Sequence, residues 1–209
     1  MTLKTILFDF DGTLVDTFAA VLEIGNRIAP EFGYRPVRAD ELDMLRGWSY
    51  REVSAHLGVA WHKLPAIAAR MRSELAEHLE QLELIAGLPA VLSELRARGL
   101  ELGILTSNTR ENVERFLARR GIEDFAFIET SSSLWGKRHR LKALLKRHRR
   151  SIEEVAYVGD EVRDIEASQA LGMRMVAVAW GFSGKALLAA HAPSHLIEDP
   201  RELLDVLAG

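Results

Sequence analysis

The chain has 209 residues, with 27 Lys and Arg against 30 Asp and Glu, a formal net charge of -3 and no cysteine. That length buries a sizeable core and suits one domain with an insertion or two small domains; the charge marks neither a polyanion binder nor an acidic tail, and the lack of cysteine excludes disulfides and cysteine-ligated zinc or iron–sulfur sites. The first residues run straight into an apolar segment and no stretch has the length and apolarity of a membrane span, so the expectation is a cytoplasmic protein with no membrane partner.

The first predicted strand, residues 5–8, ends in Asp9, Phe10, Asp11 and Gly12. Two carboxylates one residue apart fall on the same side of a strand or its exit loop, where they repel unless a cation, a proton or water holds them. One can then be a nucleophile and the other a proton carrier. Asp and Gly are also ordinary turn residues, and a plain strand exit is the alternative.

From residue 18 to residue 84 the pattern is helical, with Ile67, Met71, Leu75, Leu79 and Leu82 forming one apolar stripe that reads as core. This predicts an inserted all-helical domain joined near residues 15–17 and 84–87, with hinges that flank the carboxylate loop. Further strands are expected at 100–105, 125–129, 155–158 and 175–179. Between them lie helix signals: Pro89 in a first turn with Gly99 after the last, Asn108 with Glu111 as a cap pair, Gly121 as a stop, and the Ser151/Glu154 and Asp199/Glu202 capping patterns, the latter with Pro200. Strand–helix alternation implies an α/β fold with a parallel sheet, right-handed crossovers and helices on both faces, whose chemistry collects at the carboxyl ends of the strands.

Three of those ends carry polar groups. Thr106, Ser107 and Asn108 follow one strand at the start of a helix, where backbone N–H groups favour an anion. Asn108 reads as a cap, while the Thr106 hydroxyl stands before the cap and can bind phosphate. Asp160, Glu161 and Asp164 follow Gly159, and with Asp9 and Asp11 nearby such a cluster calls for a hard divalent cation, magnesium by ligand type. Glu161 and Asp164 read equally as first-turn acids complementing a helix dipole. Lys137 opens a basic stretch whose Leu141, Leu144 and Leu145 mark a helix with a solvated charged face, which argues against nucleic acid as a partner. A lysine at a helix start opposes the dipole, so Lys137 is a candidate functional residue.

Residues 9–16, then Thr106, Lys137 and the run 159–164 resemble, in order, the four signature motifs of the haloacid dehalogenase superfamily, and within it the phosphoglycolate phosphatase-like group with a helical cap. The resemblance implies a Rossmann-like parallel-sheet core at residues 1–16 and 85–209, a cap at 17–84, and a magnesium-dependent phosphatase acting on a small phosphorylated metabolite. It implies Asp9 as nucleophile, Asp11 as acid and base, Thr106 and Lys137 on the phosphoryl oxygens, and a metal held by Asp9, the Asp11 carbonyl and Asp160 with Asp164 further out. Gly12, Thr13 and Ser107 would lie at the phosphate. Arg46, in a run similar to the cap specificity loop, would meet a second anionic group, or is a surface arginine beside a turn; Trp180 to Phe182 either line the rim or pack. A phosphomutase of the same fold and a non-catalytic phosphate-ligand binding protein are the alternatives, and the oligomeric state is left open.

Overall fold

A computed structural model describes residues 2–130 and 136–207. Six strands form one parallel sheet: β1 (Thr5–Phe8), β2 (Glu101–Thr106), β3 (Phe125–Thr130), β4 (Val155–Gly159), β5 (Arg174–Val178) and β6 (His195–Ile197), in the spatial order β3-β2-β1-β4-β5-β6. The central strands are apolar on both faces, as a parallel sheet covered on both sides requires. Alternation then sorts them. Ile6 and Phe8 face α5 (Leu88–Ala97) and α6 (Arg110–Arg119), through residues such as Leu92, Leu95, Val113 and Phe116. Leu7, Tyr157 and Met175 face α7 (Lys137–Arg147), α8 (Val162–Gln169) and α9 (Lys185–Ala190), through Leu141, Leu144, Ile165 and Leu188. A last short helix, Leu203–Val206, returns to the first face.

Between β1 and α5 the chain forms α1 (Phe18–Phe32), α2 (Leu42–Arg46), α3 (Tyr50–His56) and α4 (Leu64–His78). Ala20, Ile24 and Ile28 of α1 bury against Ile67 and Leu75 of α4, giving this helical insertion its own small core. The apolar stripe outlasts the helix: α4 stops at His78, and Leu79 is buried in the main core instead. The two crossings into the insertion run side by side, with Val15 and Leu84 bridged antiparallel and the Ile85 N–H donating to the Leu14 carbonyl at 2.9 Å.

Three sequence expectations are corrected. The three-residue β6 was not foreseen, since a strand that short shows no pattern of its own; it forms because Val176 to Val178 offer it a paired edge. Ser151/Glu154 and Asp199/Glu202 do cap, but on single 3-10 turns, Ile152–Glu154 and Pro200–Glu202, the first leading directly into β4. The cap of α6 is Thr109, whose hydroxyl accepts the Asn112 N–H at 3.2 Å, and not Asn108. Among the described residues no helix is long and apolar enough to cross a membrane.

Phe116 is buried and meets the Phe10 ring edge-on, 5.4 Å between centroids at 90°. It therefore fastens α6 to the loop that carries the first carboxylates. Phe116→Ala should cost about 3–5 kcal/mol of stability, through lost burial plus a cavity, measured as a lower midpoint in urea unfolding.

Candidate active site

The carboxyl ends of β1, β2 and β4 are neighbours in the sheet, so residues far apart in sequence meet there. Asp9 follows β1, Thr106 ends β2, Asp160 follows β4 and Asp164 lies in the first turn of α8. One carboxylate oxygen from each of Asp9, Asp160 and Asp164 lies within 4.8 Å of the others, all buried. Three buried anions this close are not tolerated bare.

Lys137 supplies the counter-charge. Its Nζ donates to Asp9 Oδ2 at 2.7 Å and to Asp164 Oδ1, and lies 4.9 Å from the centre of the Tyr157 ring. Burial works against the ammonium charge, but Asp164 and Asp9 outweigh it and hold the Lys137 pKa above the ordinary lysine value. The unfavourable place at the start of α7 is thus offset by two carboxylates.

The remaining oxygens are held by N–H and O–H donors. Asp9 Oδ1 accepts the Phe10 N–H at 2.8 Å. Asp160 Oδ1 accepts the Thr13 hydroxyl at 2.8 Å and Oδ2 the Phe182 N–H at 2.7 Å. Asp164 Oδ2 accepts the Glu161 N–H at 3.1 Å, so Asp164 serves both the helix start and the cluster. Burial, then Glu161, Asp164 and Asp9, raise the Asp160 pKa well above the usual carboxylate range. Burial also raises that of Asp164, with Lys137 opposing it. An oxygen-only donor set in which burial and mutual repulsion oppose ionisation of Asp160 and Asp164 fits a hard divalent cation such as magnesium.

Asp11 points elsewhere. Its carboxylate oxygens accept from Asn108 Nδ2 at 3.3 and 3.2 Å, a contact that sequence reasoning missed by treating Asn108 as a cap. Burial, then repulsion from Asp9, pushes its pKa up to about 7, with the Asn108 hydrogen bond and Arg163 pulling the other way.

Other sequence candidates take specific positions. Gly12 has φ +76°, and a Cβ there would come 2.5 Å from Asp160 Oδ2 and 2.6 Å from the Phe182 ring. Its N–H is taken by the Val15 carbonyl at 2.9 Å. The Thr13 hydroxyl is given to Asp160, and its carbonyl accepts the Trp180 indole N–H at 3.1 Å. Thr106 is buried, and its hydroxyl oxygen accepts the Asn108 N–H at 3.0 Å, which leaves the hydroxyl proton to donate. Ser107 is half-buried at the same turn.

Arg46, at the end of α2, reaches the loop after β5: its guanidinium donates to the Gly181 carbonyl at 2.7 Å and, at 3.4 Å, to that of Phe182. Its own carbonyl accepts the Gly184 N–H at 2.7 Å, and the guanidinium carbon lies 5.3 Å from the Phe18 ring centre. The second anion expected for Arg46 is thus matched here by backbone carbonyl oxygens. Gly181 itself has no room for a side chain, since a Cβ would fall 2.2 Å from Asp160 Oδ2.

The family description "haloacid dehalogenase-like hydrolase" matches residues 6–178. Along 98% of its length the chain is 39% identical to a phosphoglycolate phosphatase of Synechococcus elongatus, covering 97% of that protein. It is 28% identical, over 99% of itself and 96% of the relative, to an N-acetylmuramic acid 6-phosphate phosphatase of Pseudomonas aeruginosa. A solved haloacid dehalogenase-like family hydrolase from Streptococcus pneumoniae shares the fold with a TM-score of 0.79 at 22% identity, over 98% of each chain.

The raised Asp11 pKa sets a pH dependence. Folded Asp11 keeps a proton up to about pH 7, where the unfolded chain has already lost it, so folding binds a proton and stability falls as pH rises through 7. Without added metal, the urea midpoint should be higher at about pH 6 than at about pH 8, and Asp11→Asn should shrink that difference. A midpoint that climbs with pH over this window would contradict the charge balance described.

Proposed function

The chain belongs to the haloacid dehalogenase-like hydrolase family and is a phosphatase, and from that premise we propose that it hydrolyses a small phosphate monoester of the phosphoglycolate type through an aspartyl-phosphate on Asp9, with magnesium. The observation that carries this reading is the buried cluster of Asp9, Asp160 and Asp164 in which Lys137 bridges Asp9 and Asp164, with a second carboxylate, Asp11, two residues on. A relative 39% identical along nearly the full length bears the name phosphoglycolate phosphatase, which supports the substrate class.

Asp9 is held by hydrogen bonds on both oxygens, so it meets the substrate without reorganising. An oxygen of Asp9 bonds to phosphorus while the bond from phosphorus to the ester oxygen breaks, and Asp11 passes its proton to the departing alcohol. Water then attacks the phosphorus of the aspartyl-phosphate and gives a proton to Asp11, releasing phosphate and restoring Asp9. The Lys137 ammonium, the Thr106 hydroxyl and Ser107 take the phosphoryl oxygens, and a carboxyl with a pKa near neutrality suits Asp11 to give and regain a proton. Magnesium, held by Asp9, Asp160, Asp164 and the Asp11 carbonyl, would neutralise charge on the phosphoryl group.

In this reading residues 17–84 are a cap over a core of 1–16 and 85–209, and Arg46 fastens the cap to the core. Gly12 and Thr13 shape the Asp160 carboxylate more than the phosphate. Four outcomes test the proposal. In a panel of phosphate monoesters, 2-phosphoglycolate should give the highest kcat/KM, EDTA should remove phosphate release and magnesium restore it. Asp9→Asn should leave a folded protein with no measurable turnover; near-normal phosphate release by that variant would sink the mechanism. Arg46→Ala should lower turnover of a neutral aryl phosphate and of a carboxylated phosphate ester by similar factors, whereas a loss confined to the carboxylated ester would return Arg46 to the substrate.

A further inference from the structure

We infer that Asn108 is a positioning residue for the acid–base carboxylate Asp11, held in turn by Asn112 and by the first turn of α6. The inference rests on the role of Asp11 proposed above. Asn108 is 2% exposed, and burying an amide is tolerated only when its polar atoms are partnered. Here both ends of the side-chain amide are. The main-chain N–H donates to Thr106 Oγ1 at 3.0 Å, Oδ1 accepts the Thr109 N–H at 2.8 Å and Asn112 Nδ2–H at 2.9 Å, and Nδ2 spans both oxygens of Asp11.

Those partners fix which way the amide faces. Two N–H donors converge on one end of it, so that end is the carbonyl oxygen and the other is the NH2 group, directed at Asp11. An amide NH2 has no acceptor capacity, so the acidic hydrogen of a protonated Asp11 is excluded from the α6 side of the carboxyl. The proton is left on the side away from α6, to be given up in the reaction. Thr109 caps α6 by accepting the Asn112 N–H, and the Asn108 side chain binds this helix start through Oδ1 alone, which leaves its NH2 group for Asp11. The row Asn112, Asn108, Asp11 thus ties the carboxyl at the end of β1 to α6, and through Thr106 to the turn that receives phosphate.

The test is the dependence on the leaving group. An alkyl phosphate needs a proton delivered to its departing oxygen, whereas 4-nitrophenyl phosphate releases a stable phenolate and scarcely needs one. Asn108→Ala should lower kcat/KM for the alkyl ester by about ten- to a hundredfold, within the range of general acid catalysis, and for the nitrophenyl ester by a clearly smaller factor. Both substrates are measured on one sample, so the ratio does not depend on the fraction of folded enzyme. If Asn108→Ala yields no soluble protein, Asn112→Ala, which removes one of the two donors on Asn108 Oδ1, should show the same direction with a smaller factor. Asp11→Asn is the reference and should show the full discrimination. Discrimination in Asp11→Asn but equal losses in the Asn108 or Asn112 variant would overturn the role of Asn108 and leave the proposed mechanism standing; no discrimination in Asp11→Asn would overturn both.

Discussion

The structure turns on one electrostatic constraint: three carboxylates buried within 4.8 Å of one another beside a single lysine. Desolvation alone raises the cost of every one of these charges, and mutual repulsion adds to it. One ammonium cannot neutralise three anions. The rest of the balance is made by the buried Arg163 guanidinium, which Asp164 and Asp9 both feel, and by N–H and O–H donors from Phe10, Thr13, Glu161 and Phe182. Each of these last comes from a loop at the same sheet edge, so the loops cannot shift without losing a partner for a buried charge. Apolar burial would be satisfied by any close packing there; the charges require one arrangement.

Much of the fold was legible because its signals are local. The central strands are short apolar runs with caps and glycines between them, and a parallel sheet buried on both faces leaves that trace in composition. What escaped was tertiary in origin. β6 exists because β5 offers an edge, and α4 ends at His78 although its apolar stripe continues, because Leu79 finds the main core. Ser151 and Glu154 satisfy a capping pattern on a single 3-10 turn, since the same hydrogen bonds serve one turn or many.

The site divides in the same way. Asp9, Asp11, Asp160, Asp164, Thr106 and Lys137 stood out because charged and hydroxyl groups at strand or helix ends conflict with simple packing. The residues that support them gave no such conflict. Asn108 in the sequence is a good cap and nothing more; its partner Asp11 is 97 positions away. Thr13 and Phe182 reach Asp160 across 147 and 22 positions. Gly181 was the one usable hint, a small residue between two aromatic ones, and its reason is a carboxylate against its Cα hydrogen.

Seen from the Asp160 side, the helical insertion and the carboxylate cluster are mechanically close. Arg46 donates to the Gly181 and Phe182 carbonyls, the Phe182 N–H donates to Asp160, and the Phe182 ring lies against both Phe18 and Gly12. The loop of residues 179–184 therefore has one side on the insertion and the other on the cluster. Neutral carbonyls accept a guanidinium with less energy than a carboxylate does, and the contact is half-exposed. The 181–182 segment thus meets the insertion through its carbonyls and Asp160 through the Phe182 N–H, so the insertion and the cluster share one stretch of backbone. No residue of the insertion needs to touch the reacting atoms for that link to operate.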